Sequence, residues 1–279
     1  MKRTICFCAV LFALVFVSAY AQSDSATRGQ SMNGATGLYS IPTARIGWEG
    51  SKNLGLDLGY RAVINNDRGT AHIPALTVSL FRTVELSAAF DIQPSIQTYG
   101  DHSDNSDILL GIKIKLPTDK TAVALGGNVQ IINIGNDKHF YNAYQPYLAI
   151  TYSGNFFSMP AETTVVFGKT LYSGGPENIS NIDFGMGFDI ILFPDVFKNA
   201  VHWIIDFSNF GYSDNSWPNY LVHGTGTAWH RGILNTGFRI DLASIPNLKN
   251  KLLLDFIFND LFDARERSFT VGVVFGLEI

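Results

Sequence analysis

Charge is scarce in this chain. Asp, Glu, Lys and Arg make up 16% of its 279 residues, against about 25% in an ordinary soluble domain. The net charge is −4, so nothing is basic enough to expect nucleic acid as a partner. Cysteine is almost missing as well. The two present, Cys6 and Cys8, both fall near the start, and neither follows a lipoprotein-type run of small residues. That start reads as a cleaved signal peptide over 1–21: Lys2 and Arg3, an apolar stretch Ile5–Val17, then Ala19-Tyr20-Ala21. The mature chain from Gln22 then has no cysteine, which excludes disulfides, cysteine nucleophiles and thiolate metal sites. It keeps 18 basic residues against 24 acidic ones. No further apolar run reaches 18 residues, so no transmembrane helix is expected. Helix-period segments are scarce too.

What recurs is alternation with period two, in segments of about 8 to 13 residues, the length a membrane-spanning strand requires. Phe269, Val271, Val273, Phe275, Leu277 and Ile279 share one face of the last segment, opposite Ser268, Thr270, Gly272, Val274, Gly276 and Glu278. The segments around 54–61, 84–93 and 182–192 behave likewise. One face is aliphatic or aromatic. The other carries Gly and Asp rather than the Lys/Glu mixture of a solvated surface.

The pattern predicts an all-β fold: a transmembrane antiparallel up-and-down barrel over 53–279, with about twelve strands. They are read at 53–63, 73–81, 84–93, 107–116, 121–134, 141–152, 161–172, 181–192, 200–208, 229–242, 251–258 and 267–279. Connections alternate between long ones, such as 93–106 and 208–228, and short ones, such as 82–83, 117–120, 153–160, 193–199 and 243–250. Long outer loops with short periplasmic turns mark outer-membrane barrels. Closure is demanded because lipid offers no partner to an open sheet edge. The facing of 161–172 is ambiguous, since Lys169 falls on the Val165/Phe167 face. Within the segment 22–52 the stretch Asn33–Arg45 contains Pro42 and two glycines, which argue against a central strand, and the segment reads as a periplasmic tether, a turn in the barrel mouth or a short extra strand.

The stretch Gly34-Ala-Thr-Gly-Leu-Tyr-Ser-Ile-Pro-Thr-Ala-Arg45 resembles the start of YjbH-type outer-membrane proteins. This chain is much shorter than typical members. The resemblance implies an outer-membrane barrel associated with exopolysaccharide or capsule production. The last strand resembles the terminal strand read by outer-membrane assembly machinery, with Ile279 in place of the common Phe.

Alternation assigns the interior. Asp57, Arg61, Glu85, Asp91, Lys113, Lys115, Asp183, Asp189, Asp206, Arg239 and Asp241 are the candidate pore-lining residues, with His202 and Asp255 on the same face. Their acidic excess favours cations weakly. A twelve-strand barrel has a backbone radius of roughly 12 Å, leaving about 10 Å of width if nothing fills it. Two readings stay open: a channel for small polar solutes or sugars, or a non-conducting structural barrel with ligand-binding outer loops. The aromatics Phe210, Tyr212, Trp217 and Tyr220 in the longest loop suit the second. The partners expected are outer-membrane lipid, the assembly machinery and a small polar solute or polysaccharide.

Enzymatic readings are poorer, and no catalytic residue, metal or cofactor is expected. A hydrolase needs nucleophile, base and orienting group within reach, and the six histidines are scattered. His102-Ser103 lies in a polar loop whose Asp101/Asp104/Asp107 spacing is not that of a calcium loop. His223 and His230 are seven apart in a Gly/Thr-rich loop. No phosphate-cradling loop is present, since Gly224-Thr-Gly226 lacks a Lys partner.

Overall fold

The computed structural model describes residues 28–50, 52–65, 69–92, 96–98, 101–103, 106–118, 121–134, 139–173, 182–209, 232–244, 250–262 and 267–279. The expected signal peptide over 1–21 and most of the two longest connections lie outside them. The strands are β1 (Leu54–Asn65), β2 (Gly69–Leu80), β3 (Val84–Ile92), β4 (Ile96–Thr98), β5 (Asp101–Ser103), β6 (Ser106–Leu116), β7 (Thr121–Ile134), β8 (His139–Phe156) and β9 (Met159–Gly168). There follow β10 (Leu171–Ser173), β11 (Asp183–Ile191), the single helical turn α1 (Pro194–Phe197), β12 (Val201–Ser208), β13 (Ile233–Asp241), β14 (Lys251–Asn259) and β15 (Ser268–Glu278).

Twelve long strands pair antiparallel with their sequence neighbours, and the ring closes between β15 and β1. Strands β4 and β5 form a small separate hairpin between β3 and β6. Strand β10 carries the line of β9 onward against β8. The gap between them falls where Pro146 of β8 has no N–H to give, although Lys169 N–H still donates to its carbonyl at 3.1 Å.

The outside of this cylinder is apolar. Among the described residues of the twelve long strands no outward-facing side chain is Asp, Glu, Lys or Arg. Leu58, Leu86, Phe90, Ile112, Leu125, Phe238, Phe258 and Phe275 are all exposed there. Water would disfavour such a belt. Lipid removes the penalty, and closure pairs every strand edge. The facing of β9 is settled by Val166, which is fully buried, and Phe167, which is 42% exposed. Lys169 therefore shares the outer face, where a long stem can carry its ammonium toward the interface.

Short turns occupy one end, the periplasmic end in barrels of this kind, and long connections the other. One turn is shorter than the sequence suggested. In place of a connection over 153–160, β8 runs on to Phe156 and β9 starts at Met159. Ser153 and Gly154 stay paired with Glu162 and Ala161, and Pro160 sits at the start of its strand, where a missing N–H is tolerated. The two-residue turn has φ of 46° at Phe157 and 70° at Ser158. That is the left-handed conformation a tight hairpin needs, here adopted by non-glycine residues at about 1–2 kcal/mol each.

Candidate functional site

All eleven candidates for the interior face the barrel axis. Nine are buried outright, while Lys115 and Asp189 keep 21% and 13% of their side chains exposed. Residues 28–50 lie between these eleven, deeper than the tether or mouth segment expected of 22–52.

This segment enters at the periplasmic end beside Arg28, climbs to Tyr39 and Ser40, and returns to Gly50 before β1. Two isolated bridges, Gln30 with Thr36 and Gly37 with Pro42, give it a looped shape without regular secondary structure. Gln30 to Ala44 is buried throughout except at Ser40. A buried backbone without helix or sheet must find partners elsewhere, and here the wall supplies them. Arg61 donates to the carbonyls of Gln30 and Ser31, Lys113 to that of Thr36, Arg239 to that of Gly37, and Lys251 to that of Gly47. Thr77 donates to the Gly34 carbonyl. In the other direction Glu85 accepts from Thr36 N–H at 2.8 Å and Gly47 N–H at 3.1 Å, and Thr151 Oγ1 accepts from Ala44 N–H at 2.9 Å. Asp206 accepts from Tyr39 N–H and Ser40 N–H, both at 2.8 Å, and from Ser40 Oγ at 2.9 Å.

Inward-facing glycines make room for the plug. A Cβ at Gly59 would overlap Gln30, one at Gly187 would overlap Leu38, and one at Gly185 would sit 2.5 Å from Ile41. These notches explain why the inner faces are rich in glycine rather than in bulky polar residues. Met32, Leu38, Tyr39, Ile41 and Ala44 fill them together with wall residues such as Ile73, Leu109, Tyr147 and Ile204.

The wall also neutralises itself. Lys113 meets Glu85 at 2.9 Å, its register partner on the next strand. Arg239 holds Asp255 through both Nε and Nη2, and Arg61 reaches the same carboxylate at 3.5 Å. Lys251 meets Asp57 at 2.9 Å. These last two contacts join β1 to β14 across the intervening β15, over Gly272 and Gly276, where a side chain would intrude. Asp206 differs: its hydrogen bonds come from the plug tip and from Asn235 Nδ2, at 2.7 Å.

Both feet of the plug are tied at the periplasmic end. Glu49 meets Arg28 at 3.3 Å and Lys115 at 2.8 Å, and accepts from Ile46 N–H at 2.9 Å. Burial works against its charge, but Arg28, the Ile46 amide and Lys115 outweigh it and hold the carboxyl below its ordinary range. Arg45 pairs with Glu162 at 3.0 Å and with Ser153. Trp48 Nε1 donates to Asp57 at 2.7 Å, with the Lys251 ammonium over its ring.

Of the remaining candidates, Asp189 takes His202 Nδ1 at 2.6 Å, while His202 Nε2 lies 3.1 Å from the Asn199 carbonyl. Asp91 and Asp183 stand in the outer half of the lumen. His223, His230 and the loop aromatics fall outside the described residues, and of His102 and Ser103 only the backbone, in β5, is described. Sequence reading missed Lys251, Glu162, Gln30, Gln130 and Gln145, and it offered a turn in the barrel mouth where the segment runs through the lumen. A dozen interior charges facing a width of about 10 Å was the available signal that something fits between them.

No family model matches the sequence, and no curated protein matches it. Solved structures of β-barrels do. The KdgM porin in complex with disordered oligogalacturonate aligns at 10% identity over 79% of this chain and 98% of that one, with a TM-score of 0.47. An outer-membrane channel from Pseudomonas putida F1 aligns at 11% identity over 92% and 99%, TM-score 0.47. Omp33 from Acinetobacter baumannii aligns at 8% identity over 82% and 98%, TM-score 0.42. At such identities nothing finer than architecture is in common. The strand pairing of this chain and its uncharged outer belt make it a closed twelve-stranded barrel of the outer-membrane type.

Proposed function

We propose that the chain is an outer-membrane channel for small polar solutes or sugars, closed at rest by its own N-terminal segment. The carrying observation is that wall charges pair among themselves. Arg61, Arg239 and Asp255, Lys113 and Glu85, and Lys251 and Asp57 keep their partners whether or not the plug is seated. A lumen meant only to be filled would be more stable with apolar contacts than with buried ion pairs. A lumen that must sometimes hold water needs polar walls. The plug is bound chiefly through hydrogen bonds that water can replace.

The test uses the full chain. Substituting Leu38, Tyr39 and Ile41 together by glycine removes the side chains that occupy the notches and leaves the wall untouched. In planar bilayers the parent should be almost silent and the variant should show discrete conductance steps. A folded variant with no steps would favour the non-conducting structural barrel instead. The stretch 34–45 that resembles YjbH-type proteins is the buried plug. An exopolysaccharide role extends the same reading and predicts altered polysaccharide release from cells lacking the chain.

A catalytic role has little support. The His202–Asp189 pair spends its second nitrogen on a backbone carbonyl, and its hydrogen bonds among the described residues reach no hydroxyl.

A further inference from the structure

The turns at the periplasmic end are strained where they need not be. Among the described residues eight non-glycine residues have left-handed φ, from 43° to 70°, and all but Asp260 belong to the short turns. Glycine adopts that conformation freely, and the chain has 26 glycines. The left-handed glycines among the described residues are instead Gly69 and Gly232, at the outer ends of strands, and Gly34 in the plug. Three of the strained turn residues are phenylalanines: Phe81 between β2 and β3, Phe157 between β8 and β9, and Phe193 at the start of α1. Strain kept at an exposed position points to a use for the side chain that stands there. All three rings are exposed, Phe81 at 66% and Phe157 at 85%. Val196, at 71%, and Phe197 extend the Phe193 tip on the helical turn, where the two rings meet at 6.4 Å.

Apolar tips of this size mark a contact surface, and three observations say what covers them. The first is continuity with the lipid-facing belt. The Phe157 ring stands edge-on to Phe156, with centroids 4.7 Å apart, and Phe156 lies 6.3 Å from Phe188. Phe156 and Phe188 both lie on the outer faces of their strands, so this tip is turned to the membrane side of the wall. The second is charge. Arg82 follows Phe81, and Lys198 follows Phe197. A cation next to an aromatic ring suits the boundary between lipid phosphates and acyl chains. The third is spacing. Six of the twelve long strands separate the Phe81 turn from the Phe193 turn, so the two stand on opposite sides of the mouth. One protein partner would have to bridge the mouth to reach both, whereas lipid surrounds the whole rim.

We propose that the phenylalanine-tipped turns seat the periplasmic rim in the inner leaflet of the outer membrane. The rings enter the headgroup boundary, and Arg82 and Lys198 meet the phosphates. Contacts on opposite sides of the rim fix the depth and tilt of the cylinder, which the strand faces alone leave free to slide. This anchoring is independent of whether the lumen conducts.

Two measurements decide it. From Gln22 onward the chain has no cysteine, so Phe81→Cys, Phe157→Cys and Val196→Cys can each carry one spin label. In vesicles of phosphatidylethanolamine and phosphatidylglycerol, each label should be relaxed by oxygen more than by a water-soluble nickel chelate. A label reached mainly by the chelate stands in water and overturns the proposal. A label shielded from both is covered by protein, a second copy or another chain, and overturns it as well. The native ring is tested by Phe157→Ser, which keeps a non-glycine residue at the left-handed position and removes the aromatic group. In the same vesicles its unfolding equilibrium constant in urea should rise roughly tenfold. An unchanged constant would mean that the ring meets only water, and the proposal would fall. Conductance of the plug-tip glycine variant decides the channel reading separately.

Discussion

Asp206→Ala is the sharpest probe of how the plug is held. The carboxylate is fully buried and takes three hydrogen bonds from the plug tip. Hydrogen bonds to a charged group contribute about 1.5–3 kcal/mol each. Removing all three would on that scale cost the seated plug roughly 5–9 kcal/mol. The released plug also gives up the charge, and water entering the vacated space would re-satisfy part of the two orphaned backbone amides. A net loss of about 3 kcal/mol is a conservative working figure. It raises the ratio of unseated to seated plug by a little over a hundredfold. The wall should survive, because Asp206 has no cation among its hydrogen-bonded neighbours and only Asn235 loses a partner. Bilayer recording should show open probability rising steeply, while the folded barrel keeps its heat-modifiable gel migration. A folded Asp206→Ala protein with unchanged open probability would refute the view that the tip contacts latch the plug.

Acidification should loosen the foot. The Glu49 carboxyl is held below its ordinary range, so its stabilising effect is complete above the unfolded-state value and fades as pH falls through the folded-state one. Openings should therefore increase below about pH 4.5, and Glu49→Gln should open at neutral pH. Gly185→Ala should unseat the plug by displacing Ile41, and Ile41→Ala should restore closure in the double variant; failure of that rescue in the bilayer would mean the notch is not the point of conflict.

The barrel was legible because a strand declares its two faces residue by residue. Phe269 to Leu277 and Ser268 to Glu278 sort onto opposite sides with no tertiary information needed. The same rule put Asp57, Arg61 and Arg239 inside. It failed where periodicity gave no purchase. Leu38, Tyr39, Ile41 and Ile46 are apolar and buried, yet their spacing is neither two nor 3.6, because their conformation is dictated by notches and donors spread round the barrel wall. Lys251 was overlooked at the very start of a strand, and Glu162 lay on the segment whose facing Lys169 obscured. Pairing of Asp57 with Lys251 spans 194 positions, a distance no local pattern can bridge.

The glycines of the final strand have a consequence for how the ring is completed. Gly272 and Gly276 lie beneath contacts that reach from the first strand to the penultimate one, over the top of the last. Sliding the last strand by two positions would keep every apolar residue facing lipid and every backbone group paired. It would also bring Thr270 or Val274 under those guanidinium and ammonium arms and force them apart. Hydrophobic patterning alone leaves that slip open; two missing side chains forbid it, so the end of the polypeptide can meet its beginning at one depth only.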